Sequence, residues 1–207
     1  MRIEEQTGTV VGGLPAEPEK ATLEGKNKIV GFWLFLAAES TLFATEMGAY
    51  VALKGSHLNG PPSQELFQLP MVALSTLILL VSSLTSVLGV MSMHTGDARK
   101  MLTWFGLTVL LGAAFLGLET YEFMEYVHEG HTLTGSAFAS SFYLLLGTHG
   151  AHVLFGVLWI LGLVIQGAKK GITVHTAPKF YLASLYWHFI DVVWIFIFTV
   201  VYLMGMI

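Results

Sequence analysis

The sequence predicts an all-α membrane protein, a bundle of five transmembrane helices with its N-terminus inside and its C-terminus outside. Three observations lead there. Of 207 residues, 54% are hydrophobic and only 12% charged. A soluble domain carries about 25% charged residues, so this chain has too little charge to coat a water-facing surface. With a mean hydropathy of +0.68, the composition is that of a polytopic membrane protein. Five apolar runs each reach the roughly 20 residues that a spanning helix needs. The basic residues alternate from one side to the other of those runs. Other classes fall away on the same numbers. There is no cysteine, which removes disulfides, thiolate metal sites and cysteine nucleophiles. The net charge of −4 and pI of 6.0 argue against nucleic acid as a partner.

Residues 1–28 come first and read as a cytoplasmic tail. They hold Glu4, Glu5, Glu17, Glu19, Glu24, Pro15 and Pro18 with no long apolar core, so they do not form a signal peptide. A solvated tail is the simple reading, and a short amphipathic segment lying against a neighbour is the alternative. The five-helix transmembrane domain follows over 29–207, with spans at about 29–53, 69–93, 101–123, 137–165 and 182–206. None of the runs has the alternation of a barrel strand, and in hydrocarbon a backbone of this length satisfies itself only as a helix. The fourth run exceeds the hydrocarbon thickness and must tilt or extend. Asn59, Gly60, Pro61 and Pro62 predict a turn after the first helix. "YVHEGHTLTGS" after the third carries acids and histidines but no base.

Arg2, Lys20, Lys26, Lys28, Arg99, Lys100, Lys169, Lys170 and Lys179 fall on one side of the alternation, and Lys54 alone on the other. The positive-inside bias therefore puts the N-terminus in the cytoplasm and the C-terminus outside, which requires an odd number of helices. No repeat or inverted half is visible, which weakens a transporter reading.

Ionisable groups inside spans are costly, at least about 2.5–3.5 kcal/mol for an Asp at mid-helix, yet this chain keeps several. Glu39 and Glu46 lie seven apart on the first helix. Glu119 and Glu122, His149 and His152, and His188 and Asp191 are each three apart, so each pair shares a side of its helix. E-x-x-E, H-x-x-H and H-x-x-D on three helices resemble the ligand grammar of di-iron bundles, acids and imidazoles three apart. Counting 1.5 Å per residue from the inner end of each span argues against a metal centre. It places His188, Asp191 and Glu39 about 9, 14 and 15 Å deep, His149 and His152 about 20–24 Å deep, and Glu119 and Glu122 about 27–32 Å deep. Structural interhelical hydrogen bonding is the plainer alternative, although such contacts contribute only about 0.6 kcal/mol on average. Glu39, near mid-depth in "FWLFLAAESTLFA" with no base in its span, is a candidate for proton handling or headgroup contact. Three imidazoles are too few for a multi-haem core, so any redox centre needs a partner chain. Small residues that let backbones approach are Ser82, Ser86, Gly89, Gly112, Ala113, Gly117, Gly147, Gly150 and Gly156. A lone membrane enzyme with a His/carboxylate metal centre, such as a lipid hydroxylase, stays open on residue types alone.

Four stretches resemble subunit III of the haem-copper terminal oxidases in its five-helix bacterial form: "GFWLFLAAESTLFA" (31–44, with Glu39), "GAAFLGLETYEF" (112–123, with Glu122), "FYLLLGTHGAHVLFGVLW" (142–159, with His149 and His152) and "SLYWHFIDVVWIFIF" (184–198, with Trp187, His188, Asp191 and Trp194). "TLEGKNK" and "TAPKFYLASLYWHF" resemble the Bacillus-type cytochrome c oxidases more than their menaquinol-oxidising relatives. The chain departs from the family pattern at Glu119, where many relatives have Gln, and at Gln166, where mitochondrial-type relatives carry Arg.

The resemblance implies an accessory subunit of a proton-pumping aerobic complex that reduces O₂ to water. It implies no catalytic centre, cofactor or metal in this chain, with haem and copper held in partner subunits. It implies packing on subunit I, in a complex with subunit II and a small subunit IV in the bacterial cell membrane, and a V-shaped cleft that holds phospholipid. Glu39 and His152 become candidates for proton uptake or the lipid cleft. Glu119, Glu122, His149, His188 and Asp191 become buried interhelical contacts. Lys169 and Lys170 become candidates for the lipid phosphate.

Overall fold

The computed structural model describes residues 14–54, 69–128 and 136–204. Five long helices account for nearly all of them: α1 (Leu23–Leu53), α2 (Leu69–His94), α3 (Ala98–His128), α4 (Ala137–Lys170) and α5 (Ala177–Ile197). A π-helical turn (Phe198–Leu203) continues α5. All five are long and apolar enough to cross a membrane. The turn expected at Asn59–Pro62, most of the loop before α4 and the last three residues lie outside the described residues.

The helices run past the apolar segments because local chemistry caps them further out. Thr22 accepts the Gly25 N–H at 3.0 Å, so α1 begins among polar residues. Ser136 caps α4 in the same way through Ala139 N–H at 3.0 Å. Gly171, at a left-handed φ of 66°, ends α4 by returning its N–H to the Gly167 carbonyl. Gly96, φ 75°, turns the chain between α2 and α3. Beside it the Lys100 backbone N–H and ammonium hold the Asp97 carboxyl below the ordinary aspartate range. With 34 residues, α4 is about 51 Å long.

The described tail is not free in solvent. A 3₁₀ turn, Pro18–Lys20, packs against α1 and α5. Its Glu19 is 1% exposed and meets His94, at the end of α2, at 3.1 Å. Lys20 pairs with Glu17 at 2.9 Å, which holds the ammonium proton more firmly than usual. The turn brings Lys20 and the start of α1, with Lys26 and Lys28, to the bundle end that carries Arg99 and Lys100. Lys179 bonds Gln166 at 3.2 Å at that same end, near Lys169 and Lys170. Lys54 closes the far end of α1.

Helix α5 is the axis of the bundle, packed on α1, α2 and α4. α2 pairs along its length with α3, and α3 with α4. α1 rests chiefly on α4 and α5. Half of the α5 apolar window is buried, against 11% for α1, so the outer face of α1 must be covered by lipid or by another subunit.

Aromatic side chains of α5 fill notches cut by glycine. The Trp187 ring lies so close to Gly112 and Gly156 that a Cβ at Gly112 would sit 2.5 Å from it, and one at Gly156 2.9 Å. Phe180 fills the space over Gly167 and Phe105 that over Gly89. Gly117 and Gly147 have nothing within 4 Å, so those two are not contact points as the sequence suggested. The serines of α2 serve as partners for α5. Trp187 Nε1 donates to Ser82 at 2.9 Å, Trp194 Nε1 to Thr76 at 3.0 Å, and Ser86 to Ser184 at 2.8 Å. All of these contacts share one antiparallel register.

A methyl group at Gly112 must displace Trp187, whereas Gly162 faces open space. Gly112→Ala is therefore expected to lose about 1–3 kcal/mol and Gly162→Ala to change little. Denaturation of the two variants in detergent, followed by tryptophan fluorescence, checks this.

Candidate functional site

The embedded acids and imidazoles meet in pairs across helix contacts. Glu39 Oε2 on α1 lies 3.1 Å from His152 Nε2 on α4. His152 Nδ1 is 2.7 Å from the Thr148 carbonyl. A carbonyl can only accept, so Nδ1 carries a hydrogen and Nε2 is the nitrogen that faces the acid. The side chains are 22% and 20% exposed. His152 lines an open groove with Phe35, Ala151, Phe155 and Tyr186, and the Tyr186 hydroxyl is tied to the His152 carbonyl at 3.0 Å. One turn further along the same seam, Thr148 donates to Glu46 Oε1 at 3.0 Å.

His149, the other imidazole of the motif, turns toward α3 and α5 instead. Its Nδ1 is 3.9 Å from Glu119 Oε1 and its Nε2 is 3.3 Å from the Ile190 carbonyl. Although three-residue spacing put both rings on one side of α4, the 60° between them is enough to send them to different neighbours. Glu122 accepts from the Tyr126 hydroxyl, and Tyr202 of the π turn also reaches it. His188 Nδ1 meets the Ser83 hydroxyl at 2.6 Å, and Ser83 also faces the Asp191 carboxyl. The serine stands between acid and imidazole, which is not the order of a nucleophile triad.

Depths counted from the apolar runs placed Glu39 and His152 about 5 Å apart along the bilayer normal. Counted from the true helix ends, Leu23 and Lys170, they lie about 24 and 27 Å along their helices. Glu119 and His149 are likewise level. Two acid–imidazole pairs thus form, Glu39 with His152 and Glu119 with His149, on separate faces of α4. Among the described residues no three His, Asp or Glu are placed to hold a metal ion.

The groups that sequence reasoning missed are hydroxyls: Thr148 for Glu46, Ser83 for His188, and Tyr126 and Tyr202 for Glu122. Thr148 stands inside the T-H-G-A-H motif and was readable as a polar neighbour. Tyr202, 80 residues from Glu122, carried no signal. Gln166 is bonded by Lys179, a partner not foreseen. Lys169 and Lys170 are exposed at the end of α4.

The family model of cytochrome c oxidase subunit III matches residues 23–206. The chain belongs to that family. Cytochrome c oxidase subunit 3 of Bacillus sp. (strain PS3) is 64% identical over 93% of this chain and 94% of its own length. The subunit 3 of the Bacillus subtilis cytochrome c oxidase is 59% identical over the same shares. Quinol oxidase subunit 3 of Bacillus subtilis is 47% identical over 94% and 96%. The resemblance carried by the four motifs is borne out, as is the five-helix membrane fold. This is a subunit III of a haem-copper oxidase, one chain of an oxidoreductase complex and a multi-pass protein of the bacterial plasma membrane. Membership implies association with other oxidase subunits.

The seam between α1 and α4 in this subunit III relies on Thr148. Thr148→Val keeps the side-chain shape and removes the donor to Glu46, with an expected loss of about 1–3 kcal/mol. Thr120→Val, whose exposed hydroxyl bonds only its own helix at Leu116, is the control. Thermal unfolding in detergent compares the two.

Proposed function

We propose that the chain is the lipid-holding accessory subunit III of a proton-pumping cytochrome c oxidase, docked on subunit I in a complex with subunit II and a small subunit IV. The observation that carries this reading is the Glu39–His152 pair. It is partly exposed, pairs an acid with an imidazole at 3.1 Å, and has no third His, Asp or Glu placed with it among the described residues. A group of this kind exchanges protons or meets a polar headgroup.

The lipid part rests on shape. Between α1 and α5 runs an open groove of about 410 Å³, with Trp33, Leu36, Ala37, Leu185, Phe189 and Val192 along its walls and only Ser40 and His188 polar. It continues between α2 and α5 past Val87, Val90 and Met91 to His94 and Tyr181. An acyl chain suits those walls. Lys169 and Lys170, exposed at the basic end, suit a lipid phosphate. The gathering of lysine and arginine at one end supports an N-terminus inside and a C-terminus outside. Cytochrome c as donor is supported by the identities: the relatives named cytochrome c oxidase subunit 3 reach 56–64%, and those named quinol oxidase subunit 3 reach 43–49%.

Two measurements test the proposal. In the assembled oxidase, Glu39→Gln and His152→Asn are expected to leave assembly intact and to slow proton uptake or shorten turnover lifetime about fivefold, the rate equivalent of about 1 kcal/mol. Unchanged rate and lifetime would remove the role of the pair. Purification of the complex identifies the donor: a partner with a soluble copper-binding domain is expected, whereas a partner lacking those ligands makes the complex a menaquinol oxidase.

A further inference from the structure

His149 is fully buried, with the Phe115 ring edge-on at 5.9 Å and the Trp194 ring at 4.9 Å. Its Nε2 faces the Ile190 carbonyl, which accepts and never donates, so Nε2 carries a hydrogen. That leaves Nδ1, which has no hydrogen-bond partner and faces Glu119 Oε1, an atom equally buried and equally without one. The two are 3.9 Å apart. The Glu119 carboxyl occupies a place made for it: a Cβ at Gly150 would lie 2.8 Å from its Oε2. The other ionisable groups facing this spot are acids or phenols. They are Glu122 with Tyr126 on α3, Asp191 on α5 and Tyr202 on the π turn. Every described lysine and arginine lies at the ends of the helices or in the segments between them.

An ionised Glu119 beside a neutral His149 would be a buried anion without a counter-charge, facing a second unpaired acceptor. One proton removes both faults. We infer that Glu119 and His149 form a sealed proton-binding site, holding a single proton between Oε1 and Nδ1. In one form the Glu119 O–H donates to Nδ1, the two atoms closing from 3.9 Å to hydrogen-bond distance around the bound proton. In the other the O–H bond has broken and an N–H bond has formed, leaving a carboxylate against an imidazolium. Nothing is oxidised or reduced, and the ligand is the proton itself. This site is distinct from the pair on α1. There His152 uses Nδ1 for the carbonyl and Nε2 for the acid, whereas His149 uses the two nitrogens the other way round. The exposed pair opens on a groove; the buried pair is closed by Phe115, Trp194 and Gly150.

The test uses the purified, assembled oxidase labelled in glutamate and histidine. Infrared spectra are expected to contain the carbonyl stretch of one protonated acid that Glu119→Gln abolishes, or nitrogen NMR to show a doubly protonated His149 ring that the same variant returns to the singly protonated form. Gln is the informative replacement, because its amide N–H can donate to Nδ1 without a proton being bound. His149→Asn repeats the assignment from the other partner, so that failure of one variant to assemble leaves the other. A proton on either atom upholds the site. A carboxylate at Glu119 together with a neutral His149 ring overturns it, as does a protonated acid together with an imidazolium.

Discussion

Hydrocarbon offers no hydrogen bonds, so the acids and imidazoles that this chain carries across the bilayer must find their partners inside the bundle. That constraint organises the bundle. α4 meets it on two faces, with His152 answering Glu39 on one and His149 facing Glu119 on the other. α5 meets it through the hydroxyls of α2, which take up Trp187, His188 and Trp194. Each of these contacts fixes the register of one helix against the next, and the glycine notches then let the aromatic rings close the gap. Polar pairing sets which residues stand level; packing sets how near the backbones come.

The membrane fold, the number of helices and the family were all legible in the sequence, because a spanning helix announces itself by length and apolarity and the oxidase motifs are specific. What escaped is what hydropathy does not measure. The apolar run of α1 starts near Ile29, yet a threonine cap moves the helix start to Leu23. Depth alone left Glu39 within about 5 Å of His152 and could not show that α1 and α4 are neighbours, so their contact went unread. Three-residue spacing grouped His149 with His152 by side, but the roughly 60° between them sends each ring to a different neighbouring helix. The acids themselves were visible as anomalies. Their hydroxyl partners were not, since a threonine or serine in an apolar helix costs little and so stands out little.

Family membership gives the pairs a setting. Acids and imidazoles that face each other across helix contacts can hold protons and anchor neighbours, which suits one subunit of a larger complex. The thin cover on α1 suits it too. A helix with so little of its surface buried is incomplete by itself, and its outer face, including the groove beside Trp33 and Ser40, is finished by lipid or by the rest of the complex.

The order in which the chain is made adds a consequence. α1 leaves the ribosome first, but the helices it leans on, α4 and α5, leave last. Until α4 is inserted, Glu39 and Glu46 have neither His152 nor Thr148 beside them, and each carries the full cost of a lone carboxyl in lipid. The first helix to enter the bilayer is therefore the last to settle, and biogenesis must shelter it in the meantime.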